Sequence, residues 1–322
     1  MAPVRRDGPR VAARARFDAA LTADPALEAI TLTDIISVGP NRNVARGWMD
    51  GESVILKQFT GPRATEIAAN MARELTILAP HMSQGRAQVN RLIAVSAEAG
   101  LVVVSQVPGE KMSKLLPDAS PVARARMMAD AGAFALAYGT GRRRPDTIGA
   151  GYWMRKFARF LPEALAPADA ALLEELRLAL AQQAGRLQGA ALCRAAVHGD
   201  LVPINLHADE NGVYGFDTQG EAFMPLSFDL AHFMSWLAMD EVQPQGGFWL
   251  GVPRVDKRAF LIRGLPDPDE DPAVLPFLLG HEIATRFYER CAREQVITNP
   301  ARAAAARRGV KRYLSGVAAE RD

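Results

Sequence analysis

Cysteine is nearly missing from this chain: two residues in 322, Cys193 and Cys291, far apart and without metal-ligand spacing. A disulfide framework and a structural zinc site are therefore not expected, and the composition suits a reducing cytoplasm. Excess charge is missing as well. A formal net charge of +2 gives no electrostatic reason to expect nucleic acid or a membrane surface as the main partner. No apolar run approaches the roughly 20 residues that span a bilayer. The N-terminus carries Arg5, Arg6, Arg10, Arg14 and Arg16 but no apolar signal core, so a solvated leading helix is expected in place of a secretion signal. Internal repeats, low-complexity segments and a G-x-G-x-x-G loop are also absent. What remains is an ordinary globular composition, 49% hydrophobic and 23% charged. The length suits one large domain or two smaller ones.

One stretch concentrates chemistry. Residues 197–220 read V-H-G-D-L-V-P-I-N-L-H-A-D-E-N-G-V-Y-G-F-D-T-Q-G. Asp200 is followed five residues later by Asn205, an Asn211-Gly212 turn comes next, and a short apolar strand from Val213 to Phe216 runs into Asp217. Two acids and an amide on adjoining segments are what metal-assisted phosphoryl transfer needs. One group accepts or orients the proton of an attacking hydroxyl, and oxygen ligands hold the hard Mg²⁺ that neutralises a triphosphate. The Asn-Gly turn brings the second acid back beside the first. Taken singly, Asp and Asn are common turn formers, and a hairpin whose polar residues only cap turns is the competing reading.

The order H-G-D-x-x-x-x-N, then a hairpin ending in Asp, resembles the catalytic core of the aminoglycoside phosphotransferase and choline kinase group, small-molecule relatives of the protein kinases. The resemblance implies Asp200 as catalytic base, His198 as support for its loop, and Asn205 and Asp217 as Mg²⁺ ligands. Asp217 is followed by Thr218-Gln219, not by Phe-Gly, so a movable Phe switch is not expected. No Ala-Pro-Glu segment follows, which argues against a protein kinase.

The rest of the chain is consistent with that resemblance. Residues 1–30 read as a polar tail and a helix with occasional apolar contacts at Phe17, Leu21, Leu27 and Ile30. A strand, a polar turn at Gly39-Pro40-Asn41-Arg42-Asn43 and a second strand follow. Asp50-Gly51 then turns the chain into a third strand, Ser53 to Phe59. Gly39 and Asn43 of the polar turn are candidates to face phosphate. Lys57 lies near the end of Val54-Ile55-Leu56-Lys57, which resembles the strand carrying the phosphate-pairing lysine of kinases. A helix from about Arg63 to Leu78 buries Ile67, Met71, Leu75 and Leu78. Its Glu74 is the expected partner of Lys57, and Glu66 is the rival. Strands near 89–95 and 101–104 lead into Ser105-Gln106-Val107-Pro108-Gly109-Glu110, which resembles the inter-lobe connector. There the main chain of Ser105 and Val107 would meet the adenine edge.

From Lys111 the pattern turns helical, with core helices at 122–138 and 170–187. The run Arg142-Arg143-Arg144 is expected to be a solvated turn and the acidic run Asp267, Asp269, Glu270, Asp271 a water-facing loop. Asp229, in the helix opened by Pro225-Leu226, is expected to brace the catalytic loop. The fold implied is α+β and bilobal, protein-kinase-like, with an antiparallel-sheet N-lobe at 31–104, a connector at 105–110 and a mainly helical C-lobe at 111–322. The function implied is ATP- and Mg²⁺-dependent transfer of a γ-phosphate to a hydroxyl of a small molecule that is aminoglycoside-, choline- or sugar-like. A non-catalytic nucleotide-binding pseudokinase or scaffold on the same fold is the alternative. The survival of Lys57, Asp200, Asn205 and Asp217 together favours the enzyme.

Overall fold

Strand-forming alternation and a single tight turn build the first part of the molecule. In the computed structural model, β1 (Thr31–Val38), β2 (Arg42–Met49) and β3 (Glu52–Phe59) form a continuous antiparallel meander. Asp50 and Gly51, which join β2 to β3, both have positive φ, 51° and 82°. That conformation matches the right-handed twist of the strands it connects, and glycine adopts it at no steric cost. Leu101–Ser105 adds to the free edge of β3, and Leu92–Ser96 adds outside it, so every pairing in the five-stranded sheet is antiparallel. Residues 8–218, 222–239, 246–262, 264–292 and 298–320 are described. Arg5, Arg6, Gln219, Gly220 and Gln243 lie outside them.

Because side chains alternate across a strand, the sheet has two chemically distinct faces. Ala45, Val54, Leu56, Leu101 and Val103 point to one and share a core with Phe17, Leu27 and Ile30. Lys57 points to the other, between its cross-strand neighbours Val44 and Val102. The leading helix α1 (Gly8–Ala23) is exposed along most of its length, and it is docked through a few apolar contacts, with Ala13 and Phe17 fully buried in the sheet's core. Burying a phenylalanine stabilises by about 1.5–3 kcal/mol, which helps hold the helix on the sheet.

Helix α2 (Ala64–Met82) runs one turn past the expected end at Leu78, with Pro80 inside it. Proline removes one N–H donor, and the burial of Leu78 and Met82 on either side offsets that loss. Residues 1–109 with 214–221 form one compact unit, and 110–213 with 222–322 form the other. The motif stretch is thus divided: Asp200 and Asn205 belong to the second unit and Asp217 to the first.

The second unit is mainly helical. Ser120 caps the helix Pro121–Tyr138 by accepting a hydrogen bond from Ala123 N, and proline occupies the first helical position, where its missing N–H costs nothing. Gly132 lets that helix approach Arg254–Phe260 closely: a Cβ there would lie 1.9 Å from the Phe260 carbonyl oxygen. Phe233 stacks on Phe260 with centroids 4.6 Å apart, and the helix Leu226–Ala238 packs along Val274–Cys291. A three-stranded antiparallel sheet sets Ala191–Val197 between Arg143–Thr147 and Ala222–Pro225.

Two expectations fail in this unit. The arginine run is not a solvated turn, since Arg143 and Arg144 open an edge strand. Arg143 donates to Leu136 O at 2.7 Å, and the Arg144 guanidinium lies over the Phe223 ring. The acidic run is not wholly water-facing either. Glu270 is buried, accepts from Ser227 Oγ and from Cys193 N, and burial pushes its carboxyl up to about 7. Alternation and burial decide these cases, where local charge suggested solvent. No described helix is long and apolar enough to cross a membrane.

Candidate active site

The strand Ala191–Val197 delivers the chain into His198, Gly199 and Asp200, and Gly199 makes the bend with φ of 80°. Asp229, in the first turn of the following helix, holds that bend. Its Oδ2 accepts from His198 N at 2.7 Å and its Oδ1 from Gly199 N at 3.0 Å. Burial pushes the Asp229 carboxyl up, while His198 and those two N–H groups work against the shift. The His198 ring is buried edge-on against Phe134 and Tyr138, with centroids 6.1 and 5.7 Å away. It is therefore a packing element beneath the loop.

Asp200 itself is reached from two sides. Asn205, at the end of a short helical turn, donates through Nδ2 to Asp200 O at 2.9 Å and to Asp200 Oδ2 at 2.8 Å. His232 Nε2 lies 3.1 Å from Asp200 Oδ1, and His232 Nδ1 lies 2.7 Å from Glu282 Oε2. The imidazole therefore bridges two carboxylates. Burial would lower its pKa, but the bonds to Asp200 and Glu282 outweigh that and raise it to about 9. As an imidazolium it donates to both acids at once. Burial likewise raises Glu282, and His232 with His281 outweighs it and brings the carboxyl down to about 2. Asp200 follows the same pattern: burial opposes ionisation, and His232 and Asn205 together carry it below the usual carboxylate range. Arg286 closes the cluster through Nε to Ser235 Oγ at 2.6 Å and Nη2 to His232 O at 3.3 Å. The result is an ionised acceptor, fixed on both oxygens, with 41% of its side chain still open to solvent.

The first unit holds a second charged group. Lys57 Nζ lies 3.2 Å from Asp217 Oδ1, and Arg42 Nη1 bonds to the same oxygen. Burial lowers the Lys57 pKa, partly countered by Asp217. Burial raises Asp217, and the two cations outweigh it, so the carboxylate stays ionised. Asp217 has φ of 68°, a left-handed conformation that few non-glycine residues adopt. Beside it is a cleft of about 490 Å³ walled by Gly39, Pro40, Asn41, Arg42, Phe59 and Asp217.

The remaining candidates fall in varied places. Gly39 lines that cleft, but its N–H donates to Arg42 O at 2.9 Å. Asn43 is fully buried on the face shared with Ala45 and Leu56, opposite Lys57. Glu74 is buried on α2, whereas Glu66 is exposed and doubly bonded to Arg63 at 2.9 and 2.8 Å. Among the described residues, the carboxylate bonded to Lys57 is that of Asp217. Ser105 ends its strand with N–H donated to Arg91 O at 2.9 Å, and its carbonyl accepts from Asn90 at 3.4 Å. Val107 is buried two residues on.

Sequence reasoning missed four side chains that contact the candidate site residues or their partners: Arg42, His232, Glu282 and Arg286. Alternation along β2 was the available signal for Arg42. The other three meet only because two helices about 50 residues apart pack together, and no local pattern encodes that. Among the described residues no group of three or more His, Cys, Asp or Glu is placed to hold a metal. Mg²⁺ asks for less. It binds through one or two carboxylates plus substrate phosphates and retains waters. Asn205, with its amide nitrogen committed to Asp200, keeps its oxygen for a hard cation, and Asp217 is an ionised oxygen donor. The donor set fits.

An antiparallel sheet with a buried lysine, followed by a helical unit presenting a braced Asp and Asn, defines a phosphotransferase of protein-kinase-like fold. A family model described as the phosphotransferase enzyme family matches residues 35–250, and the chain belongs to that family. Among solved structures it is similar to aminoglycoside phosphotransferase APH(4)-Ia, with TM-score 0.61 and 13% identity over 94% of this chain and 99% of that one. It is also similar to a glucosamine kinase, with TM-score 0.60 and 17% identity over 92% and 83% of the two chains. A putative aminoglycoside phosphotransferase from Ralstonia eutropha JMP134 gives TM-score 0.59 and 14% identity over 90% and 93%. Identities this low speak for fold. No curated protein matches the chain.

Proposed function

We propose that the protein transfers the γ-phosphate of ATP to a hydroxyl of a small molecule, with Mg²⁺, in a reducing cytoplasm. The observation that carries this reading is Asp200. It is ionised, half-open to solvent and fixed on both oxygens by Asn205 and His232. A carboxylate so placed orients a substrate hydroxyl and takes its proton late, while most of the rate gain comes from positioning and charge neutralisation. Lys57 supplies a buried cation for the α- and β-phosphates, and Glu74 is its proposed partner once Asp217 is otherwise engaged. Asn205 and Asp217 would hold Mg²⁺, which neutralises the triphosphate when bound. Ser105 and Val107 are proposed to meet the adenine through their main chain, with Gly39 at the phosphate turn. Asn43 supports that turn from the core side.

Nucleotide use is supported by the ternary complex of a thermostable APH(4)-Ia mutant with ADP and hygromycin B. The acceptor is proposed within the aminoglycoside-, choline- and sugar-like alcohols. The test is a screen of hydroxyl-bearing compounds for ATP consumption, with the Asp200→Ala protein as blank. Acceptor-dependent consumption that disappears in the blank supports the kinase. Nucleotide binding without turnover on any acceptor would point to the pseudokinase reading.

A further inference from the structure

Among the described residues, the charge cluster on the sheet sets two side-chain cations against one carboxylate. Lys57 and Arg42 share the single oxygen Asp217 Oδ1. The two cations sit differently. The Lys57 side chain is 5% exposed and Arg42 38%, so only the guanidinium has room to change partners. Register puts them on one face: Arg42 pairs with Phe59 and Val44 with Lys57, so these four side chains point the same way.

The backbone beneath Arg42 is pinned twice. Arg42 O accepts from Gly39 N at 2.9 Å, and Asn41 O accepts from Thr60 N at 3.0 Å. The first of these bonds also removes the Gly39 N–H from the set of donors that a glycine-bearing turn offers to phosphate. A side-chain charge on the wall of the cleft of about 490 Å³ stands where backbone donors would otherwise serve.

We propose that Arg42 binds the terminal phosphates of the nucleotide, exchanging Asp217 for phosphate oxygens when the nucleotide enters. The proposal rests on the nucleotide reading above. A planar guanidinium matches phosphate oxygens two at a time, which an ammonium does not. The exchange also removes one of the two side-chain cations from Asp217 Oδ1, leaving more of the carboxylate's charge for a cation ligand. Lys57, buried on a rigid strand, stays in place and meets the phosphates from below.

The test is a binding ladder with Mg²⁺ present. Wild type, Arg42→Ala and Arg42→Lys are titrated with adenosine, AMP, ADP and a non-hydrolysable ATP analogue by calorimetry. Arg42→Ala is expected to weaken the ATP analogue by about 10- to 100-fold, the range of a charge-assisted hydrogen bond, and to leave adenosine unchanged. Arg42→Lys should recover part of the loss. Equal losses for adenosine and the analogue would mark a structural role and overturn the proposal. Unchanged or tighter analogue binding would overturn it too, showing that Arg42 only latches Asp217. If wild type binds none of the four, the nucleotide reading falls first, and that result is distinct from any difference between variants.

Discussion

Two carboxylates carry this account, and they are held in opposite ways. Asp200 belongs to a closed set in which each charge is answered inside the protein. His232 lies between Asp200 and Glu282, Arg286 is bonded to Ser235 and His232 O, and Asn205 donates to Asp200. Asp217 belongs to an open set, with one acid facing two cations on the edge of a cleft. The first arrangement is balanced in charge and fixed by hydrogen bonds from within its own set. The second, among the described residues, sets two cations against one acid, an excess that suits an anion. Preorganised groups suit the chemical step and exchangeable ones suit binding, which is the division of labour a kinase needs.

The sharpest way to break the comparison is at Asp217. Asp217→Ala should cost at least ~10³-fold in kcat, the scale of losing a major electrostatic group, and should abolish Mg²⁺-dependent tightening of nucleotide binding in calorimetry. It also strands the buried Lys57 without its counter-charge, so the melting temperature should fall.

His232→Gln is the next largest effect, about 10²-fold in kcat, the scale of a misplaced reacting group, with little change in the KM for nucleotide. The pH dependence separates positioning from mere packing. Because the folded-state pKa of His232 is raised from 6.5 to about 9, its stabilisation is complete below pH 6.5 and is lost as pH rises through about 9. The group on the other face of Asp200 is neutral Asn205; His232 itself faces Asp200, Glu282 and Arg286. Wild type should therefore show an alkaline fall in kcat near pH 9 that the variant lacks. The gap in melting temperature between the two should close over the same range.

Lys57→Met sharpens the contrast further. Burial already disfavours the ammonium, so an apolar isostere should leave the melting temperature within a few degrees of wild type while nucleotide affinity drops ~10-fold or more. A comparable loss of stability would mean that the cluster is structural rather than poised for ligand. The smallest effect is expected at the exposed pair Arg63–Glu66 on α2. Removing Arg63 should leave the midpoint of chemical denaturation indistinguishable from wild type, since solvent screens both partners.

Where the sequence could be read, local rules were enough. The Asp50-Gly51 turn fixed β2 and β3, the apolar spacing on α2 located its buried face, and the H-G-D-x-x-x-x-N order marked the loop that Asp229 braces. Asn43 shows how narrow the margin is. One step along a strand reverses the face, and the structure puts Arg42 on the wall of the cleft beside Asp217 and Asn43 in the core. Arg143 and Glu270 misled for a related reason: charge predicts solvent only until a strand edge or a buried hydroxyl supplies a partner. The His232–Glu282–Arg286 set was beyond reach, because the packing of Leu226–Ala238 on Val274–Cys291 creates it and neither helix announces the other.

The most direct measurement is made on Asp200→Asn, which keeps size and shape and removes only the charge. Nucleotide affinity and phosphate transfer to the acceptor found in the screen are measured on the same preparation. Affinity equal to wild type with kcat reduced at least ~10³-fold is the predicted result. Transfer within a few-fold of wild type would contradict the account at its centre.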